Sequence, residues 1–243
     1  MNSPALKFTQ SGHKDSTYSS IFFALTISLI SSQHKIPKIE VYVESLCPDC
    51  VNFIAGEFTN FYLYNNPNLA EVNFIPYGNA EEAWNETTHR WDFTCQHKEN
   101  ECYGNLIETC SIYHLGRVKS YDVIMCIENN IAEFGLNFDD TLAHCVTDGV
   151  LLNEIKECVG SEFGNKIQHE MAQKTAKHSW VPWIVVDGVH DETVENAILT
   201  DMIGYLCSLP HANCDENYTL KYYNPITNNP FLIIDRCYAD EMK

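Results

Sequence analysis

A Cys-x-x-Cys motif stands where one hydrophobic pattern in the chain gives way to another. Residues 39–43 alternate apolar and polar side chains, which predicts a β-strand, and residues 51–61 repeat apolar side chains at helical spacing. Cys47 and Cys50 therefore open a helix. Pro48 suits the first helical turn, because its missing N–H has no intrahelical partner there and its φ is already helical.

This position is typical of a redox dithiol. Cys47 is expected at the helix N-cap, where free backbone amides and the positive end of the helix dipole stabilise a thiolate. Asp49 opposes that activation, because its carboxylate disfavours a second negative charge nearby. Cys50 lies one turn further in, where it can resolve a mixed disulfide formed on Cys47. We therefore predict Cys47 and Cys50 as the catalytic residues.

Two other interpretations of the motif remain open. A Cys-x-x-Cys can be half of a zinc site, but the chain has no second such pair or His-x₃-His at finger spacing. The two cysteines can also form a structural disulfide. We favour the redox dithiol and expect no metal.

The N-terminal region contains an apolar run of ten residues, 21–30, followed by two serines. The run is too short to span a bilayer and is typical of a signal peptide. We assign residues 1–32 to the signal peptide and 33–243 to a single domain, with no membrane span after processing. An uncleaved anchor or a buried N-terminal helix is the alternative.

Composition supports export. The chain has eleven cysteines, a number that suits an oxidising compartment. Sequons at Asn85 and Asn217 are candidate glycosylation sites on the secretory route. The formal net charge is -18 and there is no basic block, which argues against nucleic acid or an anionic membrane as a partner.

The chain order predicts an α/β fold. A second strand is expected over residues 69–77, giving a β-α-β unit with a parallel strand pair. Residues 78–105 lack a clear period and are predicted to form a loop. Residues 106–177 show helical spacing, with breaks near Gly116, Gly135, Gly149 and Gly160.

The C-terminal part predicts a β-β-α unit. Residues 183–186 form a continuous apolar run, Asp187-Gly188 is a hairpin signal, and residues 192–206 have helical spacing. A cysteine-containing tail follows over about 208–243. The whole order is that of a thioredoxin-like fold with a helical insertion between the N-terminal β-α-β unit and the C-terminal β-β-α unit.

Pro182 has a special place in such a fold. There a cis-proline opens the strand that faces the dithiol, and the backbone beside it can pair with an incoming polypeptide. We therefore predict Val181 and Pro182 as substrate-binding residues. The alternative is an ordinary trans-proline at a strand entrance.

Residues 95–110 read CQHKENECYGNLIETC. This segment resembles the signature C-Q-H-G-x-x-E-C-x-x-N-x-x-x-x-C of the gamma-interferon-inducible lysosomal thiol reductase family. It departs at Lys98, where the family usually has glycine. With the upstream dithiol and the Pro182 element, the resemblance covers roughly residues 38–210.

The resemblance implies a thioredoxin-fold enzyme that reduces disulfides of unfolding polypeptides at acidic pH, in the lysosome or endosome or after secretion. It implies Cys47 as the attacking thiol, Cys50 as the resolving thiol, and Cys95, Cys102 and Cys110 as structural cysteines. No organic cofactor is expected, and a small thiol or dithiol would serve as reductant. We interpret His97 as a hydrogen-bonded loop residue and not as a catalytic base.

Two other functions compete with a reductase. One is a disulfide oxidase or isomerase of the secretory pathway. The other is a non-enzymatic, disulfide-rich binding protein on a thioredoxin scaffold.

One cysteine is left over. Setting aside the catalytic pair leaves nine cysteines, so at least one is free or joins two chains. We expect Cys207, Cys214 and Cys237 to anchor the tail. Cys214 and Cys237 are the first candidates for the odd cysteine, which would allow a disulfide-linked homodimer.

Overall fold

A four-stranded mixed sheet forms around the strand that precedes the Cys-x-x-Cys motif. The structure is a computed structural model that describes residues 36–64, 69–210, 212, 214 and 236–239. The predicted signal peptide (1–32) and the sequon at Asn217 lie outside these residues. The sheet strands are β1 (Lys38–Val43), β2 (Glu71–Pro76), β6 (Trp183–Val186) and β7 (Val189–His190), in the order β2-β1-β6-β7.

Pairing within this sheet follows the two predicted units. β1 pairs parallel to β2 with Val41 opposite Phe74, and antiparallel to β6 with Val41 opposite Ile184. β7 pairs antiparallel to β6 through the turn at Asp187-Gly188, where both residues have positive φ. The apolar side chains of β1 are fully buried, which explains its period-two pattern. The predicted strands are confirmed.

The helix after the motif runs without a break from Pro48 to Tyr64. It consists of α1 (Pro48–Phe53), a π-helical segment Ile54–Phe58, and α2 (Thr59–Tyr64). Cys47 is its N-cap, with extended backbone angles (φ -69°, ψ 120°). The predicted N-cap position of Cys47 is confirmed.

The prediction that residues 78–105 form a loop is wrong. The segment contains a β-hairpin of β3 (Glu81–Asn85) and β4 (Arg90–Thr94), and the next helix already begins at Glu99. Asn165, from a distant helix, accepts from the Trp91 backbone amide (2.9 Å) and donates to the Trp91 carbonyl (2.7 Å). The hairpin thus depends on a tertiary contact and lacks the alternating burial that a sequence pattern reveals.

Four helices form the predicted helical insertion, α3 (Glu99–Asn130), α4 (Phe138–Cys145), α5 (Gly149–Gly160) and α6 (Glu162–Lys174). α3 bends at Gly116, whose φ of 71° is in the region that favours glycine. The breaks near the other three glycines are confirmed as helix boundaries. The insertion has a second hydrophobic core, which includes Ile107, Ile127, Phe138, Leu142 and Ile155.

Two short strands lie beside the sheet. β5 (Trp180–Val181) directly precedes Pro182, and β8 (Cys237–Tyr238) pairs antiparallel with it. The Val181–Pro182 peptide bond is cis. α7 (Glu192–Ser208) closes the fold, with Asp191 as its N-cap. Among the described residues, no helix combines the length and hydrophobicity needed to span a membrane.

These elements confirm the α/β class. Their order also matches the predicted β-α-β unit, helical insertion and β-β-α unit.

Gly104 provides a test of how closely α3 packs against the dithiol loop. A Cβ on Gly104 would lie 2.3 Å from Ser45 Oγ and 2.3 Å from Phe138 Cζ, whereas a Cβ on Gly160 would meet nothing within 4 Å. We expect Gly104→Ala to lower the free energy of unfolding by about 1–3 kcal/mol, a typical cost of overpacking. Gly160→Ala should be neutral or slightly stabilising, since alanine favours helix. Denaturant unfolding measures both, and equal effects would contradict this packing.

Candidate active site

The sulfur of Cys47 lies at the meeting point of three segments. Cys47 is the N-cap residue of α1, and its sulfur lies 3.7 Å from the carbonyl oxygen of Val181 and is bonded to Cys237 of β8. Both cysteines are buried. Cys47, Val181 and Pro182, predicted from separate parts of the sequence, are therefore brought together.

Cys50 is a free thiol one helical turn further in, and it is fully buried. A structural Cys47–Cys50 disulfide, the alternative interpretation of the motif, is thus not present. The Glu44 backbone amide donates to the Cys50 sulfur (3.4 Å). Burial, together with the nearby carboxyl groups of Glu44, Glu128 and Glu101, raises the pKa of the Cys50 thiol well above its usual value.

Glu44 is a buried carboxyl group beside the reacting sulfurs. One of its oxygens and the sulfurs of Cys47 and Cys237 all lie within 4.8 Å of one another. The Asn79 backbone amide donates to Glu44 Oε1 (2.5 Å). Burial and the neighbouring Glu101 raise the pKa of Glu44 well above the usual range. Glu44 was not among the residues predicted from the sequence, although a carboxyl group at the end of an apolar strand, three residues before the dithiol, is a usable signal.

The signature segment, residues 95–110, holds the loop that precedes Cys47 in place. Asn105 Oδ1 accepts from the Ser45 backbone amide (2.9 Å), and the Glu101 carbonyl accepts from Ser45 Oγ (3.2 Å). The disulfide Cys95–Cys102 links the start of the signature segment to the first turn of α3. The spacing of the signature thus places several partners of one loop on neighbouring turns of the chain.

His97 lies in the same signature segment. Its ring hydrogen-bonds the Glu101 carboxylate, and its backbone amide donates to Glu101 Oε1 (3.1 Å). Lys98, at the family's glycine position, has φ 70° and ψ -163°, a conformation that strains any residue with a side chain. The departure at Lys98 therefore leaves the turn in place at a cost in backbone strain.

Asn79 and Gln96 form a pair of amides next to Cys237. Asn79 Nδ2 donates to the carbonyls of Cys237 (3.0 Å) and of the Gln96 side chain (2.7 Å). Gln96 Nε2 donates to the Tyr238 carbonyl (2.6 Å). Asn79 had no signal in the sequence, and Gln96 was visible only as part of the signature.

Two further carboxyl groups, those of Glu108 and Glu128, neighbour each other inside α3. Within the described residues, none of their four oxygens has another hydrogen-bond partner. Burial raises the pKa of Glu108 to about 7. Burial and the adjacent Glu108 raise the pKa of Glu128 well above its usual value. Such a pair avoids two buried charges by holding protons.

Every cysteine other than Cys50 is paired within the described part of the chain. Cys110 pairs with Cys158, Cys126 with Cys145, and Cys207 with Cys214. Of the nine cysteines other than Cys47 and Cys50, eight pair with one another and Cys237 is the one left over, so the prediction is wrong for Cys214. Cys237 is bonded to Cys47 of the same chain and not to a second chain. The disulfide-linked homodimer stays a prediction.

The sequon at Asn85 ends β3. Asn85 Oδ1 accepts from the backbone amides of Thr87 (2.9 Å) and Thr88 (3.2 Å), and Asn85 Nδ2 donates to Asp92 (2.8 Å). Asn85 is partly exposed at the hairpin turn. Its glycosylation stays a prediction.

Comparison with known proteins gives consistent matches. A family model for gamma interferon inducible lysosomal thiol reductase matches residues 38–149. The gamma-interferon-inducible lysosomal thiol reductase of Carassius auratus is 31% identical over 182 residues, which cover 70% of this chain and 67% of that protein. The mouse protein of the same name is 30% identical over 62% of this chain and 60% of its own length. A gamma-interferon-responsive lysosomal thiol protein of Arabidopsis thaliana is 27% identical over 77% of each chain.

The buried carboxyl pair predicts that acid stabilises the fold. A glutamate has a pKa of about 4.3 in an unfolded chain, and burial raises that of Glu108 to about 7. The stabilisation is fully present below the unfolded value, and it is lost as pH rises through the folded value. We expect a higher Tm at about pH 5 than at about pH 8.

The variant E108Q/E128Q tests the source of this effect, because it keeps the shape and removes both titrating groups. Its Tm difference between the two pH values should be smaller, at about 2–4 °C for each kcal/mol of linked stability. Glu157→Gln, an exposed change on α5, serves as the control. An unchanged pH dependence in E108Q/E128Q would place the effect elsewhere.

Proposed function

Because the chain belongs to the gamma-interferon-inducible lysosomal thiol reductase family, and is thus a thiol–disulfide oxidoreductase, we propose that it reduces polypeptide disulfides in an acidic endolysosomal compartment. Reduction proceeds through a mixed disulfide on Cys47 that Cys50 resolves. A small thiol or dithiol restores the reduced pair. Membership of a family whose relatives are named thiol reductases favours an enzyme over a purely non-enzymatic binding protein.

The observation that carries this proposal is the bonding state of the motif. Cys47 is joined to a cysteine from another segment, while Cys50 is held as a free thiol behind it. A reductase passes through this arrangement each time a substrate sulfur is attached to the outer cysteine.

The reaction consists of two exchanges. The Cys47 thiolate attacks one sulfur of a substrate disulfide, forming a mixed disulfide and releasing the other substrate sulfur as a thiolate. The Cys50 thiolate then attacks Cys47 Sγ, which forms the Cys47–Cys50 disulfide and releases the second substrate thiolate. The substrate gains two electrons, and the dithiol loses two.

Glu44 is suited to manage the protons of these steps. Its carboxyl oxygen lies within 4.8 Å of the Cys47 sulfur and of the sulfur bonded to it. Since burial raises the pKa of Glu44, the group holds a proton in acidic surroundings and can give it to a departing thiolate. The same carboxyl group can then accept the proton that Cys50 must lose before attack.

An acidic setting requires an activated Cys47. An unperturbed thiol with a pKa of about 8.5 is less than about 0.1% thiolate at pH 5. The free amides at the start of α1 favour the thiolate of the capping residue, which supplies the sign of the needed shift. The lysosomal names of the relatives support the same compartment.

The sheet order supports a thioredoxin-like arrangement. β1 and β2 are parallel, and β6 and β7 follow antiparallel on the other side of β1. In that arrangement a polypeptide substrate pairs with the backbone at Val181 and Pro182, where β8 pairs with β5 in this structure. Thiol–disulfide exchange moves electrons between sulfur atoms alone, so the proposed reaction needs no metal and no organic cofactor.

The roles of the two catalytic cysteines are tested by serine substitution. Cys47→Ser should abolish reduction of insulin disulfides at about pH 5, because it removes the attacking sulfur. Cys50→Ser should instead accumulate a covalent complex with substrate, since nothing resolves the mixed disulfide. Non-reducing gel electrophoresis and intact mass measure both outcomes.

A matched control and a redox measurement complete the test. The variant C207S/C214S also loses two cysteines, but from the disulfide at the end of α7, and should keep its activity. A covalent complex formed by Cys47→Ser and not by Cys50→Ser would reverse the assignment. A dithiol potential more oxidising than that of the glutathione pool would favour the oxidase alternative.

A further inference from the structure

The segment Arg236–Ala239 occupies the place where a substrate is expected. Cys237 is bonded to Cys47, and Val181 of β5 lies opposite Cys237 in an antiparallel pair. The Ala239 amide donates to the Ser179 carbonyl (3.0 Å), which extends the pairing by one more contact. An extended peptide with its cysteine on the attacking sulfur and its backbone on the strand before Pro182 has the geometry of a bound substrate.

Two side-chain amides bind the backbone of this segment. Asn79 donates to the Cys237 carbonyl, and Gln96 donates to the Tyr238 carbonyl, at 3.0 and 2.6 Å. Neither contact depends on the side chains of the bound peptide. This part of the groove therefore accepts any extended chain around a cysteine.

Arg236, the residue before the cysteine, lies in a pocket with specific chemistry. Its guanidinium carbon lies 4.3 Å from the centre of the Trp180 ring. Arg236 also donates to Asn196 Oδ1 (2.8 Å) and pairs with the carboxylates of Glu192 (3.3 Å) and Glu195 (3.7 Å). Only 11% of the Arg236 side chain is exposed. An aromatic face and two carboxylates match a planar cation.

The pocket is held in shape by its own hydrogen bonds. Glu195 is fully buried and accepts from Trp180 Nε1 (2.7 Å) and from the Ile184 amide (2.9 Å). These bonds fix the carboxylate and the indole ring relative to the strand that follows Pro182. The pocket thus does not rely on Arg236 for its arrangement.

The geometry points to a substrate subsite that selects a basic residue immediately before the reacting cysteine, with the segment Arg236–Ala239 as an internal substrate. This inference rests on the proposed attack by Cys47. It adds the class of polypeptide that the enzyme prefers, namely chains with Arg or Lys on the N-terminal side of a disulfide-bonded cysteine. The segment Arg236–Ala239 then blocks the groove until the Cys47–Cys237 disulfide is exchanged.

Release of Cys237 from Cys47 needs no net oxidant. The Cys50 thiolate attacks Cys47 Sγ, the Cys47–Cys237 bond breaks, and Cys237 leaves as a thiolate, so one disulfide is exchanged for another. A small thiol or dithiol then reduces the Cys47–Cys50 disulfide and is itself oxidised. Cys47 becomes free to attack a substrate, and that substrate competes with Cys237 for the groove.

The full-length variant C50S/R236A/C237S tests the subsite, because Arg236 no longer fills the pocket and Cys47 is then its one cysteine without a disulfide partner. After mild reduction it is mixed at pH 7 with symmetric disulfides of the peptides Arg-Cys-Tyr-Ala, Ala-Cys-Tyr-Ala or Glu-Cys-Tyr-Ala. Intact mass follows the rate of adduct formation. We expect the arginine peptide to react about tenfold faster than the alanine peptide, as a charge-assisted hydrogen bond predicts, and the glutamate peptide to react most slowly.

Charge reversal in the pocket provides the matched comparison. Glu192→Lys, added to C50S/R236A/C237S, should bring the arginine-to-alanine ratio close to one. Glu162 also stands at the first position of a helix, α6, and Glu162→Lys should leave that ratio unchanged. Equal rates for the arginine and alanine peptides would overturn the subsite while leaving the proposed function intact. A failure of all three peptides to form an adduct would overturn both.

Discussion

The hydrogen bond from the Ser45 amide to the Asn105 side chain connects two parts of the chain on which the whole site depends. It joins the loop before Cys47 to Asn105 of α3, sixty residues further along the chain. Ser45 Oγ adds a second bond to the same helix, through the Glu101 carbonyl. Because the loop is held from this side, Cys47 can cap α1 and still face Val181 on the opposite side.

The same contact brings acidic groups to the thiol. Burial raises the pKa of the Cys50 thiol, and with α3 docked on the loop the nearby Glu44, Glu128 and Glu101 raise it further. Burial also raises the pKa of Glu44, Glu108 and Glu128, so these carboxyl groups favour the folded state most where they hold protons. The electrostatics of the interior and the proposed acidic compartment therefore agree for a physical reason that is independent of the names of the relatives.

Trp180 links the fold to the choice of substrate. Its indole N–H donates to the buried Glu195, while its ring lies against Arg236 on one side and packs edge-on near Tyr238. One residue thus fixes the start of β5, positions a carboxylate and forms the wall of the subsite. Asn79 and Gln96 contact the peptide backbone, and the pocket contacts the cation. Because these contacts are separate, the proposed enzyme can reduce many polypeptide disulfides and still prefer those with a basic residue before the cysteine.

Features that depend on neighbouring residues were predictable from the sequence alone. The strand before the motif, Cys47 as N-cap with Pro48 behind it, the helix breaks at the glycines and the turn at Asp187-Gly188 all follow from periodicity and backbone preference. The family signature was readable as well, since its cysteines and polar residues occur within sixteen positions.

Contacts between residues that are far apart in the sequence are seen only in the folded chain. The hairpin over residues 81–94 required Asn165, and the acidic surroundings of Cys50 required α3 to bend at Gly116 and fold back. Cys47 and Cys237 are 190 residues apart, and eleven cysteines allow too many pairings for spacing to select that one. Such contacts depend on the packing of whole elements, because burial and side-chain direction are set by the complete fold and not by the residues on either side.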